Sequence, residues 1–111
     1  MKTVLVIEDN PDILQNTAEI LSQAHYRVLT STNGEEGVAL AQQEKPDLVL
    51  CDMLMPNFDG YSVLRMLGIN PATAHIPFIF LMAKADKNEG NMGMNLGVDD
   101  YITRPFDHLS L

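Results

Sequence analysis

A chain of 111 residues, 46% hydrophobic and 20% charged, has the size and mix of one globular domain with a single core, which excludes two domains, low complexity and disorder. Fifteen acids against seven bases give a net charge of -8, so the field opposes phosphate backbones and direct nucleic-acid binding is not expected. A single cysteine excludes an internal disulfide, no stretch reaches the roughly 18 apolar residues of a membrane span, and the apolar run after Met1-Lys2 is too short for a secretion signal; a cytoplasmic location is expected.

Thr3 to Ile7 is β-branched and apolar and breaks at Glu8-Asp9-Asn10-Pro11, which predicts a strand and a loop. Asn10 can cap free amides and proline is tolerated at a first helical position, so a helix starts here, and Ile13, Leu14, Thr17, Ile20, Leu21 and Ala24 keep its spacing. Arg27 to Thr30 reads as a second strand. Asn33-Gly34-Glu35-Glu36 offers a cap with acids in the first turn, and Val38 and Ala41 supply the apolar side of a second helix that ends before Pro46.

Leu48 to Pro56 is an apolar run of the kind buried on both faces of a parallel sheet, and it ends in one carboxylate, Asp52. A lone acid does not belong inside such a strand; at its carboxyl end it would sit in the crevice where open parallel sheets place ligands. A turn or capping role is the plainer reading of any single Asp. Asp59-Gly60 opens a third helix carrying Val63, Leu64, Met66 and Leu67, and Gly68 with Asn70-Pro71 ends it. Ile76 to Leu81 is a fourth strand with Pro77 at its start. Lys87 to Leu96 predicts a short, labile helix, since Gly90 and Gly93 each cost roughly 1 kcal/mol relative to alanine. Gly97 is a left-handed cap, Asp100 to Thr103 a fifth strand, and Asp107 to Leu111 starts a helix without completing it, as a trimmed chain would. Strands alternating with helices at this spacing imply right-handed crossovers and a doubly wound α/β domain over residues 1–111.

In such a sheet every strand's carboxyl end faces the same way, so Glu8, Asp9 and Asp52 converge if the first and third strands are neighbours. Three carboxylates that close repel unless a cation neutralises them, and hard oxygen ligands suit magnesium. A carboxylate beside such an ion can be a nucleophile towards a phosphoryl group, with Arg104 at the end of the fifth strand as a nearby cation. The competing reading makes Glu8 and Asp9 capping acids and Arg104 a surface charge.

Glu8-Asp9, Leu50-Cys51-Asp52-Met53-Leu54-Met55-Pro56 with Asp59-Gly60, Ala83-Lys84-Ala85, and Gly97-Val98-Asp99-Asp100-Tyr101-Ile102 with Arg104-Pro105-Phe106 together resemble the receiver domain of two-component response regulators. The resemblance runs from Lys2 to about Asp107. It implies a flavodoxin-like sheet of five parallel strands in order 2-1-3-4-5, an arrangement for which a receiver protein is a standing example. It also implies that Asp52 accepts a phosphoryl group from a sensor histidine kinase or phosphotransfer protein, that Glu8, Asp9, Asp52 and the Leu54 carbonyl hold Mg2+, and that Tyr101 is an aromatic switch. Arg104-Pro105 stands where the family has Lys-Pro with a cis bond, and the region Lys87 to Tyr101 is where an output domain or partner is met.

Two residues depart from the family pattern. Met82 stands where a Thr or Ser would bind a phosphoryl oxygen, and a thioether donates nothing. Arg104 replaces a compact ammonium with a planar fork. The departures keep open a second function, a pseudo-receiver that is an interaction module without a phosphorylation response. A magnesium phosphatase would want an acid two residues after Asp52, where Leu54 stands, and Glu8-Asp9 would repel a flavin phosphate. No small-molecule substrate is implied. His25, His75 and His108 have no ligand spacing and read as surface residues; Cys51, Met53, Met55, Met66, Met92 and Met94 read as core or loop packing, although Met92 and Met94 lie on the segment that in this family meets partners.

Overall fold

The structure, a computed structural model, describes residues 1–82 and the strand Asp100–Thr103. The elements run β1 (Thr3–Ile7), α1 (Pro11–Gln23), β2 (Arg27–Ser31), α2 (Gly34–Glu44), β3 (Leu48–Asp52), α3 (Gly60–Ile69), β4 (Phe78–Met82) and β5 (Asp100–Thr103). All pairings are parallel and the order is β2-β1-β3-β4-β5, so β1 and β3 are neighbours at the centre of the sheet. This is the flavodoxin-like order expected from the sequence. The helix read over Lys87 to Leu96 and the one begun at Asp107 lie outside the described residues.

The pleat sends alternate residues to opposite faces. Leu5, Ile7, Val49, Cys51, Phe78 and Phe80 share one face with Val38 and Ala41 of α2 and Val63 and Leu67 of α3. Val4, Val6, Leu50 and Leu81 share the other with Leu14 and Leu21 of α1. Burial on both faces is why β1 and β3 are continuous apolar runs, and at about 1.5–3 kcal/mol for each fully buried large side chain these layers hold the sheet together. Phe80 is the largest fully buried side chain and meets Phe78 and Tyr61 edge to face, with ring centroids 5.1 and 5.2 Å away.

Helix starts follow their caps. The Asn10 side-chain oxygen accepts from the Asp12 and Ile13 amides at 2.9 and 3.2 Å, Asn33 from Glu36 at 2.8 Å, and Asp59 from Ser62 at 2.9 Å. β2 and β4 each run one residue past the expected end, to Ser31 and Met82, and two further details differ from expectation. β4 begins at Phe78 rather than Ile76, because the Ile76 amide closes a turn onto the Thr73 carbonyl and Pro77, lacking an N–H, offers the sheet only its carbonyl, to Val49. Gly68 lies inside α3, which continues to Ile69 and stops at an Asn70 turn where the Thr73 hydroxyl donates to the Leu67 carbonyl at 2.8 Å. Among the described residues no helix is long and apolar enough to cross a membrane.

Candidate phosphoacceptor and metal site

The central pairing of β1 with β3, Ile7 opposite Cys51, carries both strands to the same edge, so the residues that follow, Glu8 and Asp52, meet there. The Glu8 amide donates to the Ser31 carbonyl at 3.0 Å, which extends the β1–β2 pairing by one residue and fixes the backbone. Its side chain is fully buried, and Oε2 accepts from the Asn10 amide at 3.1 Å. Asp9 is exposed at the mouth. Asp52, the last residue of β3, is 1% exposed, and Oδ1 accepts from the Leu54 amide at 3.3 Å. The three carboxylates each present an oxygen within 4.8 Å of the others.

That convergence bears on the capping half of the competing reading; Arg104, its other half, lies outside the described residues. α1 is capped by Asn10, which leaves Glu8 and Asp9 outside the cap. The oxygen set suits Mg2+, a hard cation that takes carboxylate oxygens: octahedral ligands at about 2.0–2.1 Å stand about 2.9 Å apart when adjacent and about 4.2 Å when opposite, so the three oxygens would close by up to about 2 Å around the ion.

Beneath the site, Cys51 is wholly buried and its thiol donates to the Asp52 carbonyl oxygen at 3.3 Å. Burial, and then the negative charge of Asp52, Glu8 and Asp59, pushes this thiol well above the usual range. Its thiol is thereby held in the protonated form as part of the core.

The chain leaves β3 through a tight loop. The Phe58 amide donates to the Pro56 carbonyl at 2.8 Å across Asn57, whose φ is 69°, so Asn57 is the centre of a γ-turn in the left-handed region that Asn tolerates better than most residues. The Gly60 amide returns to the Met53 carbonyl at 2.9 Å. A Cβ on Gly60 would overlap the Asp52 carbonyl oxygen and lie 2.8 Å from the Met53 Cα. Sequence reasoning saw Asp59-Gly60 as a helix start only. The signal it passed over was a glycine at a position where any good helix former would serve, which points to close backbone approach.

Met82 ends β4 one residue beyond Leu81, the register partner of Asp52, and pairs with Thr103; Tyr101 pairs with Phe80. Arg104, its bond to Pro105, Met92, Met94 and His108 lie outside the described residues. His25 and His75 are exposed and apart from the acids, and Met53 and Met55 are buried. Met66 is 37% exposed on α3, so its reading as core or loop packing is corrected: it stands at the exposed border of the helix face that buries Val63 and Leu67. Leu54 is 49% exposed at the rim.

The response regulator receiver domain family matches residues 4–111. Protein PilH of Pseudomonas aeruginosa is 36% identical over 111 residues, all of this chain and 92% of PilH. The phosphate regulon transcriptional regulatory protein PhoB of the same organism is 36% identical over 105 residues, 95% of this chain but 46% of PhoB. This chain thus spans nearly all of one relative and under half of another. Among solved structures, the receiver domain of a sensor histidine kinase from Pseudomonas aeruginosa, with a magnesium ion coordinated in its active site cleft, is 29% identical with a TM-score of 0.86 over 96% of this chain and 87% of that one. The N-terminal domain of a response regulator receiver protein from Methanoculleus marisnigri is 34% identical with a TM-score of 0.83 over 95% and 85%. With a family match along almost its whole length, this chain belongs to the response regulator receiver domains.

Proposed function

We propose that this receiver accepts a phosphoryl group on Asp52 from a phosphohistidine of a sensor kinase or phosphotransfer protein, and that the modification changes a surface read by an output domain or partner over the region Lys87 to Tyr101. The observation that carries the reading is the convergence of Glu8, Asp9 and Asp52 at one sheet edge, with oxygens within 4.8 Å of one another. A carboxylate oxygen of Asp52 attacks phosphorus; the new O–P bond forms as the P–N bond breaks, and the departing imidazole nitrogen keeps the electron pair and takes a proton. Glu8, Asp9, Asp52 and the Leu54 carbonyl would hold Mg2+, which when bound neutralises charge on the phosphoryl oxygens. Asp52 is held in line by the Leu54 amide, while the buried floor of Cys51 and Met53 keeps water from its inner side. Arg104 would face the phosphoryl group as a second cation. No external substrate is turned over: the chemistry is self-phosphorylation and self-dephosphorylation, within the cytoplasm, with no membrane, no small-molecule substrate and no direct nucleic-acid contact.

The test is localisation. After incubation with a small-molecule phosphodonor and Mg2+, reductive trapping of the acyl phosphate and peptide mass spectrometry should mark Asp52 alone. A mark on Asp9, Asp59 or Glu8 instead would refute the assignment.

One observation supports a second reading. Met82 ends β4 beside Asp52's strand, where a hydroxyl would meet a phosphoryl oxygen, so the chain could serve as a pseudo-receiver that binds partners without a phosphorylation response. Phosphorylation of Asp52 without any shift at Tyr101 would favour it.

A further inference from the structure

The loop between β3 and α3 carries Leu54, and three contacts fix its path. At one end the Leu54 amide is held by Asp52 Oδ1, and at the other the Gly60 amide is held by the Met53 carbonyl. The third contact comes from α2, on a different crossover. A Cβ on Gly34, the first residue of α2, would stand 2.5 Å from Phe58 Cδ1, 2.7 Å from the Phe58 carbonyl oxygen and 3.0 Å from Val63 Cγ2. The carbonyl is backbone and cannot rotate aside, so any larger residue must displace either the helix start or the loop. The start of α2 is itself pinned, because the Ser31 hydroxyl donates to the Asn33 carbonyl at 2.8 Å and the Asn33 side chain caps the Glu36 amide. A larger residue at position 34 is therefore expected to shift the loop at Phe58.

We infer that Gly34 is a positioning residue for the metal site: by letting Phe58 seat against the start of α2, it sets the course of the loop on which the Leu54 carbonyl depends. This rests on the reading of Glu8, Asp9, Asp52 and Leu54 as metal ligands. Outer contacts of this sort hold ligands in place, and their loss commonly weakens metal affinity by about 10- to 100-fold.

The experiment is Mg2+ titration of the intact chain followed by amide NMR, with the metal-free shifts of Asp52 and Leu54 as a second readout. Gly34→Ala and Phe58→Ala should each weaken Mg2+ binding by about ten-fold, the low end for outer contacts, and move the Leu54 amide before any metal is added. Leu21→Ala, a core truncation on the opposite face of the sheet, should lower stability yet bind Mg2+ like the parent, and Gly68→Ala, with nothing near its Cβ on α3, should raise stability and likewise leave Mg2+ binding unchanged. If Gly34→Ala does not fold, Phe58→Ala decides the matter. Parent-like binding in the variants overturns the role of Gly34 alone, and so does equal weakening in Leu21→Ala. A parent protein that binds no Mg2+ overturns the metal reading and this inference together.

Discussion

At the residue scale the chemistry turns on what single side chains can donate, accept or hold. Met82 is the sharpest case. A hydroxyl donor to an anionic phosphoryl oxygen contributes about 1.5–3 kcal/mol, and a thioether supplies none of it. A two-state switch moves only by the ligand's differential affinity for its two states, so phosphorylation should shift this chain less far than it would with a hydroxyl at position 82. Met82→Thr is expected to enlarge the phosphorylation-dependent NMR shift of Tyr101 by its amide signal, with Asp52 phosphorylated in both proteins; a full shift already present in the parent would contradict this. Cys51 gives a pH prediction. Its folded-state thiol is raised by burial and by neighbouring acids, so the stability it contributes is complete below the unfolded thiol pKa and is lost as pH rises towards the folded value. Above about pH 8.5 the loss should approach 1.4 kcal/mol per pH unit, and Cys51→Ala should lack that component in urea denaturation. Native Cys51 should also resist alkylation at neutral pH; rapid labelling would show that the site floor opens.

At the element scale, caps and close approaches decide where things point. Asn10 both caps α1 and donates its own amide to Glu8 Oε2, so one residue joins the helix start to a site carboxylate. Asn10→Ala should cost about 1 kcal/mol of stability by urea denaturation, as for other caps, while Asn10→Ser retains most of it. Equal losses in both variants would mean the side chain packs rather than caps. These starts were legible: Asn10-Pro11, Asn33-Gly34 and Asp59-Gly60 carry capping chemistry on their face. The ends were less so. Of the stop read at Gly68 with Asn70-Pro71, the Asn70 part holds, whereas Gly68 sits in open space on α3; what the sequence does not announce is the Thr73 hydroxyl reaching back to Leu67, a contact between residues six apart. The fit of Gly34 to Phe58 escapes sequence reading for the same reason, since it depends on two crossovers meeting in space.

At the scale of the whole molecule, the alternation of apolar runs and caps determines a doubly wound sheet, and the sheet brings Glu8, Asp9 and Asp52 to one edge without any further instruction. That much of the site could be read from spacing, because the carboxyl ends of parallel strands share an edge. The Leu54 carbonyl and the switch residues could be named only through resemblance to receiver domains, since nothing local marks a backbone oxygen as a ligand. If Mg2+ binds the folded chain alone, it should raise apparent stability by about 2.7 kcal/mol at a hundred times its Kd, and this gain should vanish in Asp52→Asn. A Tm indifferent to Mg2+ in the parent would remove the metal from the account. The most direct test of Asp52 as the acceptor is the intact mass of the parent and of Asp52→Asn after incubation with a small-molecule phosphodonor, with and without Mg2+. The parent should gain one phosphoryl group only when Mg2+ is present and Asp52→Asn should gain none; an unmodified parent, or an adduct that persists in Asp52→Asn, would contradict the central claim.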